Sequence, residues 1–204
     1  MPTRSSARHA SRKGDLSVPL VSSFPPVARK DAVICILGSM PGRASLDAAQ
    51  YYAHPRNSFW PLLESVLGIP RSLPYPRRLE LLKEQGAALW DVLGTCARKG
   101  SLDSCIEPSS IVPNDFAAFF SMHPFIGTIF FNGAKAESIY RREVLPTLSE
   151  PARSLTLVRL PSTSPAHAGM TFEEKRKAWG RIGRALEENA GQGYYERRSD
   201  CRRE

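Results

Sequence analysis

Apolar residues in this chain follow two patterns that alternate along most of its length. Four continuous runs rich in β-branched or aromatic residues are typical of strands buried on both faces. They cover 31–37, 87–93, 125–131 and 154–160. Apolar positions at helical spacing predict helices over 59–67, 77–85, 115–122 and 134–145, and from 171 to about 189. The stretch 94–113 shows neither pattern and is predicted to be a loop.

Polar residues at the ends of these segments support the helix boundaries. Asn57 or Ser58 can cap the first predicted helix, and Asn114 can cap the third. Thr171 and Glu174 have the spacing of a capping box for the last helix.

The carboxyl end of each predicted strand carries residues of unusual chemistry: 38–42, Trp90-Asp91, Asn132-Gly133 and 162–167. Strands that alternate with helices imply a parallel sheet with helices on both faces. Such sheets bind ligands beyond the carboxyl ends of their strands. The order of elements therefore predicts one composite site at this edge.

The stretch 33–60 combines several kinds of ligand-binding group. Glycines within 38–42 let backbone amides approach an anion, and Tyr51 or Tyr52 can stack on a flat ring. Asn57 follows a proline and offers a fixed amide. Together these groups indicate a pocket for a flat ligand with polar edges beside a phosphate.

The formal net charge of +8 is concentrated near the N-terminus. Six basic residues and one acidic residue lie within 1–30, which leaves +3 for residues 31–204. We predict a disordered basic arm over 1–28, one domain over 29–190 and a polar tail over 191–204. A transit peptide is an alternative for the arm, because its composition is rich in Ser and Arg and poor in acids.

Cysteine spacing and hydropathy narrow the class of protein. Cys35, Cys96, Cys105 and Cys201 show neither metal-ligand spacing nor a disulfide framework, which favours reduced thiols in the cytoplasm. No apolar run is long enough to span a bilayer, and the N-terminus lacks a secretory signal. We therefore expect a cytoplasmic protein without a bound metal or a membrane partner.

Four motifs resemble those of the uracil-DNA glycosylase superfamily, and most closely its hypoxanthine-DNA glycosylase branch. They are GSMPG at 38–42, AHPRNSFW at 53–60, FNGAKA at 131–136 and LPSTSPAHA at 160–168. The resemblance implies a three-layer α/β/α fold with a central four-stranded parallel sheet. It also implies excision of a deaminated base from DNA, without a metal or cofactor, as the start of base excision repair.

The same resemblance assigns roles to individual residues. It implies that Asn57 is catalytic, that Tyr52 stacks on the extruded base, and that Asn132 reads the base. The first motif adds base-site candidates, namely Gly38, Ser39 and Met40. Contacts to DNA are expected from the residues Pro41, Gly42, Arg56, Ser162, Thr163, Ser164, Pro165 and His167.

Two positions depart from the superfamily pattern. Many members place Asp or Asn in the first motif to activate water, where this chain has Ser39 and Met40. Some begin the last motif with His, where this chain has Leu160. Asn57 must then carry more of the mechanism by orienting water, because an amide is a poor proton acceptor.

The predicted role of Asn132 also follows from amide chemistry. A side-chain amide held in one orientation accepts a hydrogen bond with its oxygen and donates one with its nitrogen. Hypoxanthine offers N1–H and O6, and uracil offers N3–H and O4, so both bases match. Adenine and cytosine present the opposite order. This amide cannot distinguish hypoxanthine from uracil.

Each candidate also has a purely structural interpretation. Tyr52 can be a core aromatic, Asn57 a helix cap, Asn132 a turn residue and His167 an exposed loop residue. Asp91 is a further candidate as a catalytic base, and it is also a typical residue for capping a loop at a strand end.

Three functions remain open on the sequence alone. The first is a monofunctional glycosylase acting on hypoxanthine, and the second is the same chemistry on uracil in mismatched or single-stranded DNA. The third is a non-catalytic damaged-DNA-binding module, which Met40 in the first motif favours. A small-molecule hydrolase lacks support, because the chain has no GxSxG elbow. We expect a monomer, since a duplex must reach the strand ends unobstructed.

Overall fold

A four-stranded parallel sheet forms the centre of the protein in the computed structural model, which describes residues 18–191. In spatial order its strands are Ala87–Asp91 (β3), Ile34–Gly38 (β2), Thr128–Asn132 (β6) and Thr156–Leu160 (β7). A small antiparallel sheet has the order Leu20–Ser22 (β1), Leu93–Ala97 (β4) and Val112–Pro113 (β5). The helices are Arg43–Ala48 (α1), Phe59–Leu67 (α2), Tyr75–Glu84 (α3), Phe116–Met122 (α4), Ala134–Ile139 (α5) and Phe172–Gly191 (α6).

Alternate residues of β2 point into two separate apolar layers. Ile36 packs in the layer that contains Phe59 of α2 and Trp179 of α6. Leu37 packs in the opposite layer with Phe116 of α4. The two β2 residues and the three helix residues named here are at most 2% exposed. Full burial of such a side chain contributes about 1.5–3 kcal/mol to the free energy of unfolding. The predicted α/β/α fold with a central four-stranded parallel sheet is confirmed.

The small antiparallel sheet departs from the sequence-based expectations. Residues 20–22 form β1, so the predicted arm over 1–28 extends too far. Residues 94–113, predicted to be a loop, contain most of β4 and all of β5. β5 has only two residues, and β4 reads as LGTCA, which is neither a continuous apolar run nor a strict alternation. Residues 1–17 of the arm and 192–204 of the tail lie outside the described residues.

The capping residues match the sequence-based prediction at α6 and differ from it at α4. Glu174 donates its backbone N–H to the Thr171 hydroxyl (3.2 Å), and Thr171 donates its N–H to the Glu174 carboxylate (2.7 Å), which confirms the capping box. Asp115 caps α4 instead of Asn114, by accepting the Ala118 N–H (2.9 Å). Asn114 donates its side-chain N–H to the backbone carbonyl at the end of β3 (2.8 Å).

Two other helical segments differ from the prediction. The short helix α1 was not expected, because its six residues, RASLDA, carry little apolar periodicity. The helix predicted over 134–145 remains α-helical only to Ile139, and a π-helical turn follows over Tyr140–Val144. None of the helices found between residues 18 and 191 has the length and hydropathy of a transmembrane span. The same residues contain no group of three metal-ligating side chains.

Candidate active site

The loops at the carboxyl ends of the parallel strands enclose a cavity of about 540 Å³. This volume is within the usual range for small-molecule sites. Among the residues predicted for the site, all except Arg56 line the cavity: Gly38, Ser39, Met40, Pro41, Gly42, Tyr52, Asn57, Asp91, Asn132, Ser162, Thr163, Ser164, Pro165 and His167. The strand-end loops therefore converge, and the roles of the individual residues stay predictions.

Arg56 lies outside this cavity, in a second hollow of about 510 Å³ beside α2. Arg71 and Phe172 line the same hollow, and Asn57 borders both spaces. An arginine at the mouth of a site is suited to a phosphate, which positions DNA without reading its sequence.

Tyr52 lies between the core and the cavity. Its ring stacks on Phe59 with a centroid separation of 3.8 Å and an interplanar angle of 17°. Its backbone has a φ of +56°, a left-handed conformation that is uncommon for a residue with a side chain. The neighbouring Tyr51 is 2% exposed and packs into the core, where its carbonyl accepts the Trp60 indole N–H (3.0 Å). Of the two adjacent tyrosines, Tyr52 is thus the one with a ring stacked at the cavity wall.

Asn57 caps α2 from the loop that precedes it. The N-cap position of α2 is Ser58, whose side chain makes no capping hydrogen bond, and Asn57 Oδ1 accepts the backbone N–H of Phe59 (3.0 Å) from one residue earlier, so it caps that first-turn amide. The residue is half-buried and also lines the cavity. A carbonyl oxygen has two lone pairs, so this hydrogen bond leaves one for a water molecule or a ligand. The capping role and the predicted catalytic role are compatible.

Asn132 is held in a single orientation by Thr163. The backbone N–H of Thr163 donates to Asn132 Oδ1 (2.9 Å), and Asn132 Nδ2 donates to the Thr163 hydroxyl (2.9 Å). Thr163 is 1% exposed. Because a backbone N–H can only donate, it fixes the position of the amide oxygen and prevents a flip. Thr163 leaves one N–H and one lone pair of Asn132, and the Tyr52 hydroxyl is a further neighbour that interacts with the amide.

Replacing Thr163 with valine is expected to slow base excision about three- to tenfold, because a typical hydrogen bond contributes about 0.5–1.5 kcal/mol. Valine keeps the backbone N–H that meets Oδ1 and removes the acceptor for Nδ2. Single-turnover excision measures the effect. Thr163→Ser keeps a hydroxyl and is the matched control. Equal rates for the valine and serine variants would contradict this orienting role.

The loop of the last motif is attached to helices on both sides of it. The Thr163 carbonyl accepts the backbone N–H of Ser58 (3.0 Å) and its hydroxyl (3.2 Å). At the other side, the Trp179 indole N–H donates to the Pro161 carbonyl (3.0 Å). These hydrogen bonds link the loop to the start of α2 and to α6, and so set its position at the mouth of the cavity.

A cluster of ionisable side chains lies behind the first motif, formed by the buried Asp91 and Arg98 and the half-buried Asp103. The Ser39 hydroxyl is 2.8 Å from both Asp103 carboxylate oxygens, and the Arg98 guanidinium donates to the Pro41 carbonyl. Asp91 is 3% exposed and Arg98 is 1% exposed. Sequence reasoning placed Arg98 and Asp103 in a loop, and no spacing signal in 94–113 indicated that they reach the site.

Asp91 has an environment that favours its neutral form. Burial raises the pKa of Asp91 to about 8, and the nearby Asp103 carboxylate also raises it. Arg98 and a hydrogen bond from Tyr51 act in the opposite direction. Burial raises the pKa of Asp103 as well, against the hydrogen bond from Ser39. This environment favours the neutral carboxyl of Asp91, and its role as a catalytic base stays a prediction.

A parallel sheet with a ligand-sized cavity at its carboxyl edge is the arrangement by which α/β enzymes bind their substrates. The family model of the uracil DNA glycosylase superfamily matches residues 25–183, and the chain belongs to this superfamily. It is a DNA glycosylase, an enzyme that acts on DNA and hydrolyses N-glycosidic bonds.

Individual relatives show which members of the superfamily the chain is similar to. The chain is 42% identical over 114 residues to the hypoxanthine DNA glycosylase of Methanosarcina barkeri, covering 55% of this chain and 71% of that protein. It is 37% identical over 135 residues to the hypoxanthine DNA glycosylase of Methanosarcina acetivorans, covering 62% and 84%. A solution NMR structure from Methanosarcina acetivorans, of a protein provisionally named uracil DNA glycosylase, has a TM-score of 0.69 and 32% identity. That match covers 83% of this chain and 99% of the other.

Proposed function

We propose that the protein is a monofunctional DNA glycosylase that extrudes hypoxanthine from DNA and hydrolyses its N-glycosidic bond. It acts on DNA containing deaminated bases, as a monomer in the cytoplasm, and so initiates base excision repair. The observation that carries this proposal is the fixed amide of Asn132 in the wall of the cavity at the strand ends. The 42% identity to a protein named hypoxanthine DNA glycosylase supports the choice of base.

Extrusion of the base needs a stacking partner inside the protein. Unstacking a nucleotide costs a few kcal/mol, and less for a mispaired base. Stacking on an aromatic ring recovers about 1–3 kcal/mol. Tyr52 is suited to this role, because its ring is already held against Phe59 at the cavity wall. The ring needs no reordering when the base enters.

Recognition of the base uses the remaining hydrogen-bonding capacity of Asn132. Its oxygen accepts N1–H of hypoxanthine, and its nitrogen donates to O6. Adenine presents a donor and an acceptor in the reverse order and leaves two buried groups unpaired. Uracil matches the same amide, so the depth of the cavity decides between the two deaminated bases.

Cleavage of the bond places positive charge on the sugar and negative charge on the departing base. Preorganised dipoles stabilise such charges without reorganisation during the reaction. Asn57 orients the attacking water with its free lone pair. Met40 replaces the usual water-activating residue of the first motif, and it is 6% exposed and packed in the core. Positioning of water by Asn57 therefore carries the hydrolytic step.

The proposal is tested with end-labelled duplexes that contain one inosine, one uracil or only normal bases. We expect strand breaks with the inosine duplex, and only after alkali, because a monofunctional glycosylase leaves an intact abasic strand. The undamaged duplex is the control. Release of uracil at least tenfold faster than hypoxanthine would transfer the assignment to uracil. Breaks before alkali, or no release of either base, would contradict the proposal.

A further inference from the structure

Oδ2 of Asp91, a buried atom beside the cavity, makes no hydrogen bond of ordinary geometry within residues 18–191. The Tyr52 hydroxyl also lacks a bond of ordinary geometry there, although it interacts with the nearby Asn132 amide. Both residues line the cavity, and Asp91 is 3% exposed. A buried polar atom without a partner costs about 1–3 kcal/mol. A ligand that supplies a partner recovers this free energy.

Gly38 brings the two groups together at the end of β2. A Cβ atom at this position would lie 2.4 Å from Asp91 Oδ1 and 2.9 Å from the Tyr52 hydroxyl oxygen. The carboxyl and the phenol thus occupy the space that a side chain at Gly38 would fill. The Tyr52 hydroxyl therefore lies beside the carboxyl of Asp91, at the wall of the cavity.

The groups that face Asp91 come from several elements. Asp103 lies in the turn after β4, Arg98 lies just beyond the end of β4, and Tyr51 and Tyr52 belong to the segment after α1. Burial and Asp103 raise the pKa of Asp91, while Arg98 and Tyr51 lower it. Phosphates of bound DNA add negative charge and favour the neutral acid further.

We propose that Asp91 is a neutral carboxylic acid whose hydroxyl donates a hydrogen bond to an acceptor atom of the extruded base. This inference rests on the proposed function. A purine that leaves the sugar gains negative charge on its ring nitrogens and O6. A donor at Asp91 stabilises that charge, whereas an ionised carboxylate would repel it. No proton is transferred, so the bond that breaks is still the N-glycosidic bond alone.

The test compares single-turnover excision of hypoxanthine between pH 6 and 9.5 in wild type, Asp91→Asn and Asp91→Ala. Wild-type excision is expected to fall about tenfold between pH 7 and 9, because the protonated fraction falls by that factor when the pKa is about 8. Asp91→Asn keeps an N–H donor, so its excision rate at pH 7 is expected to be about threefold below that of wild type. The fall in rate that comes from titration of Asp91 should be absent in this variant. Asp91→Ala loses about tenfold or more at pH 7. N1–H of the substrate also titrates in alkali, equally for all variants.

Asp103→Asn separates the two neighbouring carboxyls. It removes a negative charge beside Asp91, so the fall in excision persists and moves to lower pH. Excision that rises through pH 8 would overturn the proposal, because it would require an ionised Asp91. A fall that persists unchanged in Asp91→Asn, or an Asp91→Asn variant as inactive as Asp91→Ala, would also overturn it.

A binding measurement keeps this test independent of catalysis. Calorimetry with free hypoxanthine at pH 6 and 8.5 is expected to show about a fourfold loss of affinity in wild type and a smaller loss in Asp91→Asn, because the neutral acid falls to about a quarter. Equal losses would overturn the role of Asp91. Absence of excision by wild type on every duplex, together with the expected binding difference, would contradict only the proposed function.

Discussion

Replacing Asn57 with alanine is expected to slow excision of hypoxanthine by about 100- to 1,000-fold, the usual effect of removing one preorganised transition-state group. Asn57 borders the cavity, and its second Oδ1 lone pair is free to hold the attacking water. Binding of the inosine duplex should weaken much less, because the groups that stack on the base and read it remain. Single-turnover excision and fluorescence anisotropy measure the two effects separately.

The capping role of Asn57 requires a matched control. Loss of an N-cap costs about 0.5–2 kcal/mol, which lowers the melting temperature of the alanine variant. Asn57→Ser keeps an oxygen that can accept the Phe59 N–H and removes the amide. We expect the serine variant to melt near wild type and to excise as slowly as alanine. Wild-type excision by Asn57→Ser would assign Asn57 to the helix cap alone.

Replacing Gly38 with alanine is expected to lower excision about 100-fold and to destabilise the fold by about 1–3 kcal/mol. The new methyl group would lie 2.4 Å from Asp91 Oδ1 and 2.9 Å from the Tyr52 hydroxyl oxygen, so both must move. Both side chains line the cavity, and a displacement of about 1 Å costs roughly 100-fold in rate. Excision and thermal unfolding measure the two effects.

Gly127→Ala is the control for this substitution. Gly127 immediately precedes β6, away from the cavity, and a Cβ atom there meets nothing within 4 Å. We expect its excision rate and melting temperature to stay near those of wild type. A Gly38→Ala variant that matches Gly127→Ala in both measurements would show that the close approach at the end of β2 is unimportant.

The central architecture was predictable because long-range packing left a local signal. Strands buried on both faces, such as ICILG in β2, read as continuous apolar runs. The rule that parallel strands share a binding edge then placed Asn57, Asn132 and Thr163 around one site. The rule needs only the order of strands and helices along the chain, and hydrophobic periodicity is enough to predict that order.

The elements that the sequence did not predict are those whose structure depends on tertiary contacts. Strand β4 has the sequence LGTCA and exists because it pairs with β1 on one side and β5 on the other. Asn114 and Asp115 are both good caps by composition. In the structure Asn114 instead donates its side-chain N–H to the backbone carbonyl of Asp91, and the sequence does not reveal that this carbonyl is nearby.

The cluster of ionisable side chains behind the first motif was the least predictable feature of the site. Arg98 and Asp103 are single charged residues in an irregular segment, which usually indicates solvent exposure. Their burial follows from the way β4 returns the chain beneath the first motif, where they contact Pro41 and Ser39. No local pattern records such a contact between residues 64 positions apart.

A crystal structure of Asn57→Ala bound to a duplex with one inosine tests the central claim most directly. We expect the hypoxanthine base to lie outside the helix, in the cavity, with one face on Tyr52 and its N1–H and O6 within hydrogen-bond distance of Asn132. A base that stays stacked in the duplex would contradict the account. So would a base bound in the hollow between Arg56 and Arg71.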